Sequence, residues 1–220
     1  MPTRIMAIFL IFTVPMILVG QYDSPYVRRV GVSLRVLGFD YTHDMRSVFG
    51  DFDDMRRTNP VGRIPSLVLD DGETLIDSGA ILDWLDECVG PAQALVPASG
   101  AARRRCLQLV ALATGAIDKA GASGYERLIR HSAYRWPEWT QRCRTQVAGA
   151  LAALAAVDWP TGSTIDQAQI TTVCMLRYVE MTDPELLRPH PALIALAARL
   201  EALPAFAATY PPDIAYPQGV

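Results

Sequence analysis

A change in hydrophobic periodicity near the middle of this 220-residue sequence constrains its fold more than any other feature. Before residue 90, short β-branched runs alternate with amphipathic helical stretches, whereas beyond residue 100 the apolar residues recur only at helical spacing. The intervening segment, Gly90–Gly100, holds two glycines and two prolines, which is typical of a linker. We therefore predict an α/β domain at residues 16–90 and an all-helical domain at residues 101–210.

The α/β domain begins with the pattern of a βαβ unit. The apolar run Met16–Tyr22 predicts a buried strand. Ser24 and Pro25 are favoured residues for an N-cap and a first helical position, and Gly38 is a typical helix stop. A second strand follows at Phe39–Asp44, so the two strands should be parallel.

A hairpin and a second helix complete this domain. The strands Ser66–Leu69 and Thr74–Ile76 flank Asp71 and Gly72, a pair that is typical of a tight β-turn. Ser78 then has the position of a helix N-cap ahead of an apolar face. The order βαβ–ββα predicts a small mixed sheet with helices packed against it.

Four helical segments are expected in the second half, at Arg103–Arg130, Trp136–Val157, Asp166–Met181 and Pro191–Leu203. The third carries the signature of a capping box, in which Asp166 is the N-cap and Gln169 its partner. A competing register would pair Thr164 with Gln167. Pro204 is expected to end the last helix.

Composition excludes several classes of protein. The formal net charge is −3, so no excess of positive charge favours nucleic acid or an anionic membrane. The four cysteines lie far apart without a C-x-x-C pair, and the three histidines form no cluster, so we expect neither a disulfide framework nor a metal site. These features favour a reducing compartment, and we predict a cytoplasmic location.

The leader of fifteen residues needs a separate interpretation. Arg4 and the apolar run Ile5–Val14 resemble a short signal peptide, but no A-x-A-like cleavage site follows. The apolar stretch is short for a membrane span, and Pro15 interrupts it. We expect the first domain to start at Met16, with residues 1–15 a start-site artefact or a loose tail; a genuine signal or anchor is the alternative.

Three segments carry a resemblance to cytosolic glutathione S-transferases of the bacterial, serine-containing type: SPYVRRV at 24–30, NPVGRIPSLVL at 59–69 and LIDSGAI at 75–81. Tyr125-Glu126 and the segment Trp136–Trp139 also resemble the helical half of bacterial members. The resemblance extends from Met16 to about Leu203. It implies a thioredoxin-like domain followed by a helical bundle, a homodimer, and glutathione as a co-substrate without any further cofactor.

The resemblance also assigns residues to glutathione. The bond between Ile64 and Pro65 is cis in this family, which leaves the backbone groups of Ile64 free to pair with the peptide. Asp77 and Ser78 stand at a helix N-terminus, where they would hold the α-amino group and the γ-glutamyl carboxylate. The alternatives are an ordinary trans proline at residue 65 and simple helix capping at residues 77 and 78.

The glutathione thiol must become a thiolate before it reacts. Ser24 would favour the thiolate by donating a hydrogen bond beside a helix N-terminus, and each effect is worth on the order of 1 kcal/mol. Simple capping is the alternative role for Ser24, and Tyr22 is the alternative catalytic donor. No cysteine stands here, and the Ser-Ser-Cys-Ser motif of the maleylacetoacetate isomerase branch is absent.

The second substrate, a small hydrophobic electrophile, would meet the thiolate in a cleft between the two halves. Tyr26, Ala122 and Tyr125 are candidates for its lining, and the alternative is that they only fill the core. The resemblance implies a transferase that conjugates glutathione to the electrophile, with peroxide reduction as a possible side activity. The alternative function is a non-catalytic glutathione-binding or regulatory protein that kept the fold.

Overall fold

The computed structural model describes residues 16–162 and 164–211. The predicted leader at residues 1–15 therefore lies outside the described residues. Within the described ranges, no helix is both long enough and apolar enough to cross a membrane. The domain limits at residues 90, 101 and 210 stay predictions.

Four strands form one mixed sheet, in the spatial order β2-β1-β3-β4. Their bounds are β1 (Met16–Val19), β2 (Tyr41–Asp44), β3 (Ser66–Val68) and β4 (Thr74–Ile76). The β1 and β2 strands pair in parallel, while β3 pairs antiparallel with both β1 and β4. The predicted βαβ unit and the predicted hairpin are thereby confirmed. The first two strands are shorter than predicted.

Three helices belong to this half: α1 (Pro25–Val36), α2 (Phe52–Thr58) and α3 (Ser78–Val89). The α1 and α3 helices cover the sheet with the apolar stripes that the sequence indicates. Their buried side chains share one core with the strands: Met16, Leu18, Val27, Val30, Leu34, Leu67, Ile81, Leu82 and Leu85. This is the small mixed sheet with helices that the order of elements predicts, and it has the thioredoxin-like architecture that the resemblance implies.

No strand occurs in the described part of the second half, whose α-helices are α4 (Gly100–Gly124), α5 (Pro137–Ala155), α6 (Gln167–Thr182), α7 (Pro191–Glu201) and α8 (Pro204–Ala207). The capping box of Asp166 and Gln169 is present, so the register that starts at Thr164 is wrong. One long helix at Arg103–Arg130 is also wrong, because α4 ends at Gly124 and a π-helical turn continues from Tyr125 to Ile129. Pro204 does follow the end of α7, but it also begins the short α8.

The α1 helix joins the two halves, because it is buried on both of its sides. Its Val32 side chain belongs to the core of the helical half. Its Arg28 side chain is 1% exposed and forms a two-pronged ion pair with Glu201 of α7, and its Nε atom donates to the Thr209 carbonyl at 3.0 Å. The N-terminus of α1 is therefore held at the boundary between the sheet and the bundle.

Candidate active site

Two adjoining cavities lie where the sheet meets α4, and each has a volume of about 350 Å³. The sheet cavity is lined by Pro65, Ile76, Asp77 and Ser78 among others, and the cleft cavity by Ser24, Ala122 and Tyr125 among others. Four residues line both cavities: Tyr26, Arg63, Ile64 and Asp118. Every candidate residue from the sequence except Tyr22 thus lines one cavity or both.

The loop before β3 forms the wall between these cavities. The Ile64–Pro65 peptide bond is cis, as the motif predicts. Asn59 is buried, and its side-chain amide donates to the Arg63 carbonyl at 2.8 Å, which holds the loop in place. Within the described chain, the N–H and C=O of Ile64 have no hydrogen-bond partner. These two groups are therefore available to a peptide ligand.

A close approach between β1 and this loop requires a glycine. Gly20 follows β1 with a φ of 124°, a conformation that residues with a side chain rarely adopt. A Cβ at this position would lie 2.6 Å from Val27 and 2.8 Å from Ile64. The end of β1 and the Ile64 loop can therefore approach each other only because residue 20 lacks a side chain.

The N-terminus of α3 contributes Asp77 and Ser78 to the sheet cavity, but the cap of this helix lies one residue earlier than predicted. Asp77 is the N-cap, with a φ of 69°, and its carboxylate accepts from the Gly79 N–H at 2.7 Å. Ser78 as the N-cap is therefore wrong. The Ser78 side chain is 2% exposed and accepts hydrogen bonds from the guanidinium of Arg29.

Ser24 caps α1, as predicted. Its Oγ atom accepts from the Val27 N–H at 3.5 Å, and the side chain is half-buried against the cleft cavity. The hydroxyl proton stays available to a ligand, because a serine hydroxyl donates through its proton and accepts through its lone pairs. The site thus combines a hydroxyl donor with the N-terminus of a twelve-residue helix.

The Tyr22 side chain contacts strand β2 instead of either cavity. Its hydroxyl lies 2.6 Å from the Tyr41 hydroxyl, and its ring stacks on His43 with ring centres 4.0 Å apart. Tyr22 lines neither cavity. Burial and the neighbouring Tyr41 raise the pKa of Tyr22, so the phenol stays protonated at neutral pH.

The helical half closes the cleft with the end of α4 and the π-helical turn that follows it. Asp118, Ala122 and Tyr125 line the cleft cavity from this side. The Tyr26 hydroxyl donates to Asp118 across the cleft, and the Tyr125 ring meets Phe49 edge-on with ring centres 5.9 Å apart. Side chains of the sheet half and of the helical half therefore contact each other at the edges of the cleft.

Four charged lining residues were missed by sequence reasoning: Asp23, Arg29, Arg63 and Asp118. The helical spacing from Asp118 to Tyr125 could have indicated Asp118 as a lining residue, whereas no local pattern indicated Arg29.

Burial raises the pKa of the Asp23 carboxyl, which places a group that resists ionisation next to Ser24. Among the described residues, histidine, cysteine, aspartate and glutamate side chains form no group of three that could hold a metal.

Comparisons with known proteins agree with this geometry. The family "Glutathione S-transferase, N-terminal domain" matches residues 18–92. A solved glutathione transferase family member from Pseudomonas fluorescens Pf-5 with bound glutathione is 34% identical, with a TM-score of 0.77 over 90% of this chain and 99% of that one. A glutathione S-transferase from Methylobacterium radiotolerans in complex with glutathione sulfonate is 27% identical, with a TM-score of 0.84 over 94% and 99% of the two chains.

A curated relative has a different named activity. "Probable maleylacetoacetate isomerase 1" of Drosophila melanogaster is 29% identical over 203 residues, which cover 89% of this chain and 81% of that protein. The match to the Pseudomonas protein extends over nearly the whole length of both chains, and the matched family covers the loop and helix that form the sheet cavity. On these grounds, the chain belongs to the glutathione S-transferase family.

Proposed function

We propose that this chain is a glutathione S-transferase that joins the glutathione thiolate to small hydrophobic electrophiles. The observation that carries the proposal is the position of Ser24 in the cleft cavity, which shares Ile64 with the sheet cavity. A peptide held along Ile64, Asp77 and Ser78 would direct its cysteine towards Ser24. The electrophile would then approach from the side of Ala122 and Tyr125.

In this reaction the protein mainly orients the two substrates and stabilises the negative charge of the thiolate. The thiol of bound glutathione loses its proton to solvent, and the Ser24 hydroxyl together with the N-terminus of α1 stabilises the resulting thiolate. The sulfur then forms a bond to the electrophilic carbon, and the leaving group departs with the electron pair. Glutathione is consumed as a substrate, so no further cofactor is needed.

The apolar lining of the cleft supports a hydrophobic second substrate. Ile117, Ala122 and the edge-on pair of Phe49 and Tyr125 border this cavity. Peroxide reduction would use the same thiolate and stays a possible side activity. The isomerase named for the Drosophila relative is disfavoured, because the Ser-Ser-Cys-Ser motif of that branch does not occur in this sequence.

Two measurements on the purified chain test the proposal. The protein should be retained on immobilised glutathione, and it should conjugate glutathione to a generic chloro-aromatic electrophile. The Ser24→Ala variant is the matched control, and it should be retained with much lower turnover. Retention of the wild type without any turnover would favour the non-catalytic alternative, and failure to bind glutathione would overturn both.

We propose a cytoplasmic homodimer, with the assembly taken from the family resemblance and the location from the scattered cysteines that favour a reducing compartment. In that dimer the thioredoxin-like half of one subunit would lie against the helical half of the other. Analytical ultracentrifugation at micromolar concentration tests this proposal. A monomer mass would contradict it.

A further inference from the structure

Arg29 of α1 is buried beneath the sheet cavity, where its side chain reaches α3. The residue is 5% exposed, and it is among those that line the cavity. Its Nε and Nη2 atoms both donate to the Ser78 Oγ atom, at 3.1 and 2.7 Å. A contact between residues 49 positions apart in sequence thus fixes the serine that faces the ligand.

The two hydrogen bonds determine what the Ser78 hydroxyl can do. A serine hydroxyl has two acceptor lone pairs and one proton to donate. Because the two N–H groups of Arg29 occupy the lone pairs of the Ser78 oxygen, only the hydroxyl proton remains for a ligand. Within residues 16–162 and 164–211, the Ser78 hydroxyl donates to no acceptor. Ser78 is therefore held as a hydrogen-bond donor.

The charge of Arg29 has no ion-pair partner in the described part of the chain. Arg28, its neighbour, is also buried but pairs with Glu201, whereas no carboxylate of residues 16–162 and 164–211 lies within 4.0 Å of Arg29. The Tyr26 ring, 5.5 Å from the guanidinium carbon, offers weaker compensation through a cation–π contact. The carboxylates of Asp77 and Asp118 lie farther away and offset only part of the cost of burying this charge. A buried cation without a close anion is unfavourable, so a bound carboxylate would find a complementary charge here.

From these contacts we infer that Arg29 selects the α-carboxylate of the γ-glutamyl group, by fixing Ser78 as its donor and by supplying its counter-charge. This inference rests on the proposed binding of glutathione. Asp77 and Asp118 line the same cavity and are exposed, so the site combines one buried cation with two exposed carboxylates. That arrangement matches a zwitterionic amino-acid end, with its carboxylate inward and its ammonium group at the rim.

The test compares two ligands across variants of Arg29. One ligand is glutathione, and the other is 4-aminobutyryl-cysteinyl-glycine, which lacks only the α-carboxylate. In calorimetric titrations, Arg29→Met should weaken glutathione binding about 10- to 100-fold, the usual effect of removing a charged hydrogen-bonding partner. The same change should alter the affinity for the decarboxylated peptide by less than about threefold.

Two further variants distinguish a role of Arg29 in recognising the carboxylate from a purely structural role. Arg29→Lys keeps the charge but loses the fork, so it should fold and recover part of the glutathione affinity. Arg35→Met removes one positive charge from the same helix outside both cavities, and it should leave both affinities unchanged. An equal loss for both peptides in Arg29→Met and Arg29→Lys would make Arg29 a structural residue and overturn the inference. Absence of glutathione binding by the wild type would instead contradict the proposed function.

Discussion

The Tyr26 hydroxyl of α1 donates a 2.6 Å hydrogen bond to Asp118 Oδ1 of α4, a residue 92 positions later in the sequence. A second, longer contact of 3.2 Å joins the same hydroxyl to the Thr114 carbonyl. Because Tyr26 and Asp118 line both cavities, this bond spans the place where the peptide site and the electrophile site meet. The two halves of the chain are thereby held together at the proposed reaction centre.

Loss of this bond should cost stability but not the fold. Tyr26→Phe removes the donor and should lower the free energy of unfolding by about 1 kcal/mol, because the bond is charge-assisted but lies at the surface. Urea denaturation measures the change. Asp118→Asn retains an acceptor for the hydroxyl and should lose less. A Tyr26→Phe variant as stable as the wild type would show that the bond contributes nothing.

The ion pair between Arg28 and Glu201 should matter more, because Arg28 is almost fully buried. Glu201→Gln preserves shape but leaves the guanidinium charge without its counter-ion, and it should lower the free energy of unfolding by about 3 kcal/mol. Removing both charges in Arg28→Met/Glu201→Leu should be less harmful than Glu201→Gln alone. Equilibrium unfolding of the wild type and both variants checks this order, and a double variant that is the least stable would contradict it.

Elements fixed by local sequence were predicted correctly. The Ser24 cap and the capping box of Asp166 and Gln169 each depend on residues within a few positions of one another. The cis bond before Pro65 was expected from the family resemblance instead. The sequence of short strands and helices also sufficed for the thioredoxin-like topology. The strand β1 nevertheless ends at Val19, since the positive φ of Gly20 turns the chain out of the sheet.

Features that depend on distant residues were not predictable. Ser78 has the local pattern of an N-cap, yet Asp77 takes that role and the Ser78 oxygen is occupied by Arg29 from another helix. The π-helical turn after α4 also escaped the periodicity, because one shifted hydrogen bond leaves the apolar spacing almost unchanged. The sequence therefore located the site while leaving the bonds inside it undetermined.

Asp77 combines two roles that a suitable variant can separate. Its carboxylate caps α3, and in the proposed complex it also pairs with the α-amino group of glutathione. Asp77→Asn keeps a capping oxygen and tolerates the positive φ, so stability should change little while glutathione affinity falls by about 1–3 kcal/mol. Asp77→Ala should lose both affinity and stability. Titration calorimetry beside thermal unfolding distinguishes the two, and unchanged affinity in both variants would place the amino group elsewhere.

Ser78→Ala tests the other end of the γ-glutamyl group. It removes the donor and should weaken glutathione binding by about 1–3 kcal/mol, with turnover at saturating glutathione nearly unchanged. Steady-state kinetics should therefore show a raised KM for glutathione and a preserved kcat. Ser66→Ala is a matched control, because Ser66 is a buried serine of β3 that lines neither cavity. A fall in kcat without a change in KM would contradict the binding role.

Asp23 should make the folded state sensitive to pH. Burial raises the pKa of its carboxyl in the folded protein above the pKa in the unfolded chain. The protonated carboxyl therefore stabilises the folded wild type fully at a pH below the unfolded pKa, and this stabilisation is lost as the pH rises through the folded pKa. Asp23→Asn removes the ionisation and should therefore raise Tm at neutral pH, with a gain that vanishes in acid. Thermal unfolding of both proteins across the pH range checks the sign, and a lower Tm for Asp23→Asn at neutral pH would contradict it.

Ser24 carries the sharpest prediction, because it links one hydroxyl to the ionisation of the bound thiol. If the hydroxyl stabilises the thiolate, Ser24→Ala raises the thiol pKa of bound glutathione, and each unit of that rise corresponds to about 1.4 kcal/mol. The peptide would still be held by Ile64, Asp77 and Ser78. Turnover should therefore fall much more than affinity, and the loss should shrink at alkaline pH, where the thiol ionises without help.

A pH–rate profile of wild type, Ser24→Ala and Tyr22→Phe decides the assignment of the thiolate donor. The Tyr22 hydroxyl is engaged with Tyr41 and lines neither cavity, so Tyr22→Phe should leave the profile in place while Ser24→Ala moves it to higher pH. A shift in Tyr22→Phe alone would transfer the role to Tyr22. If neither variant shifted the profile, the thiolate would depend on the backbone N–H groups at the start of α1, and the Ser24 hydroxyl would have no part in the chemistry.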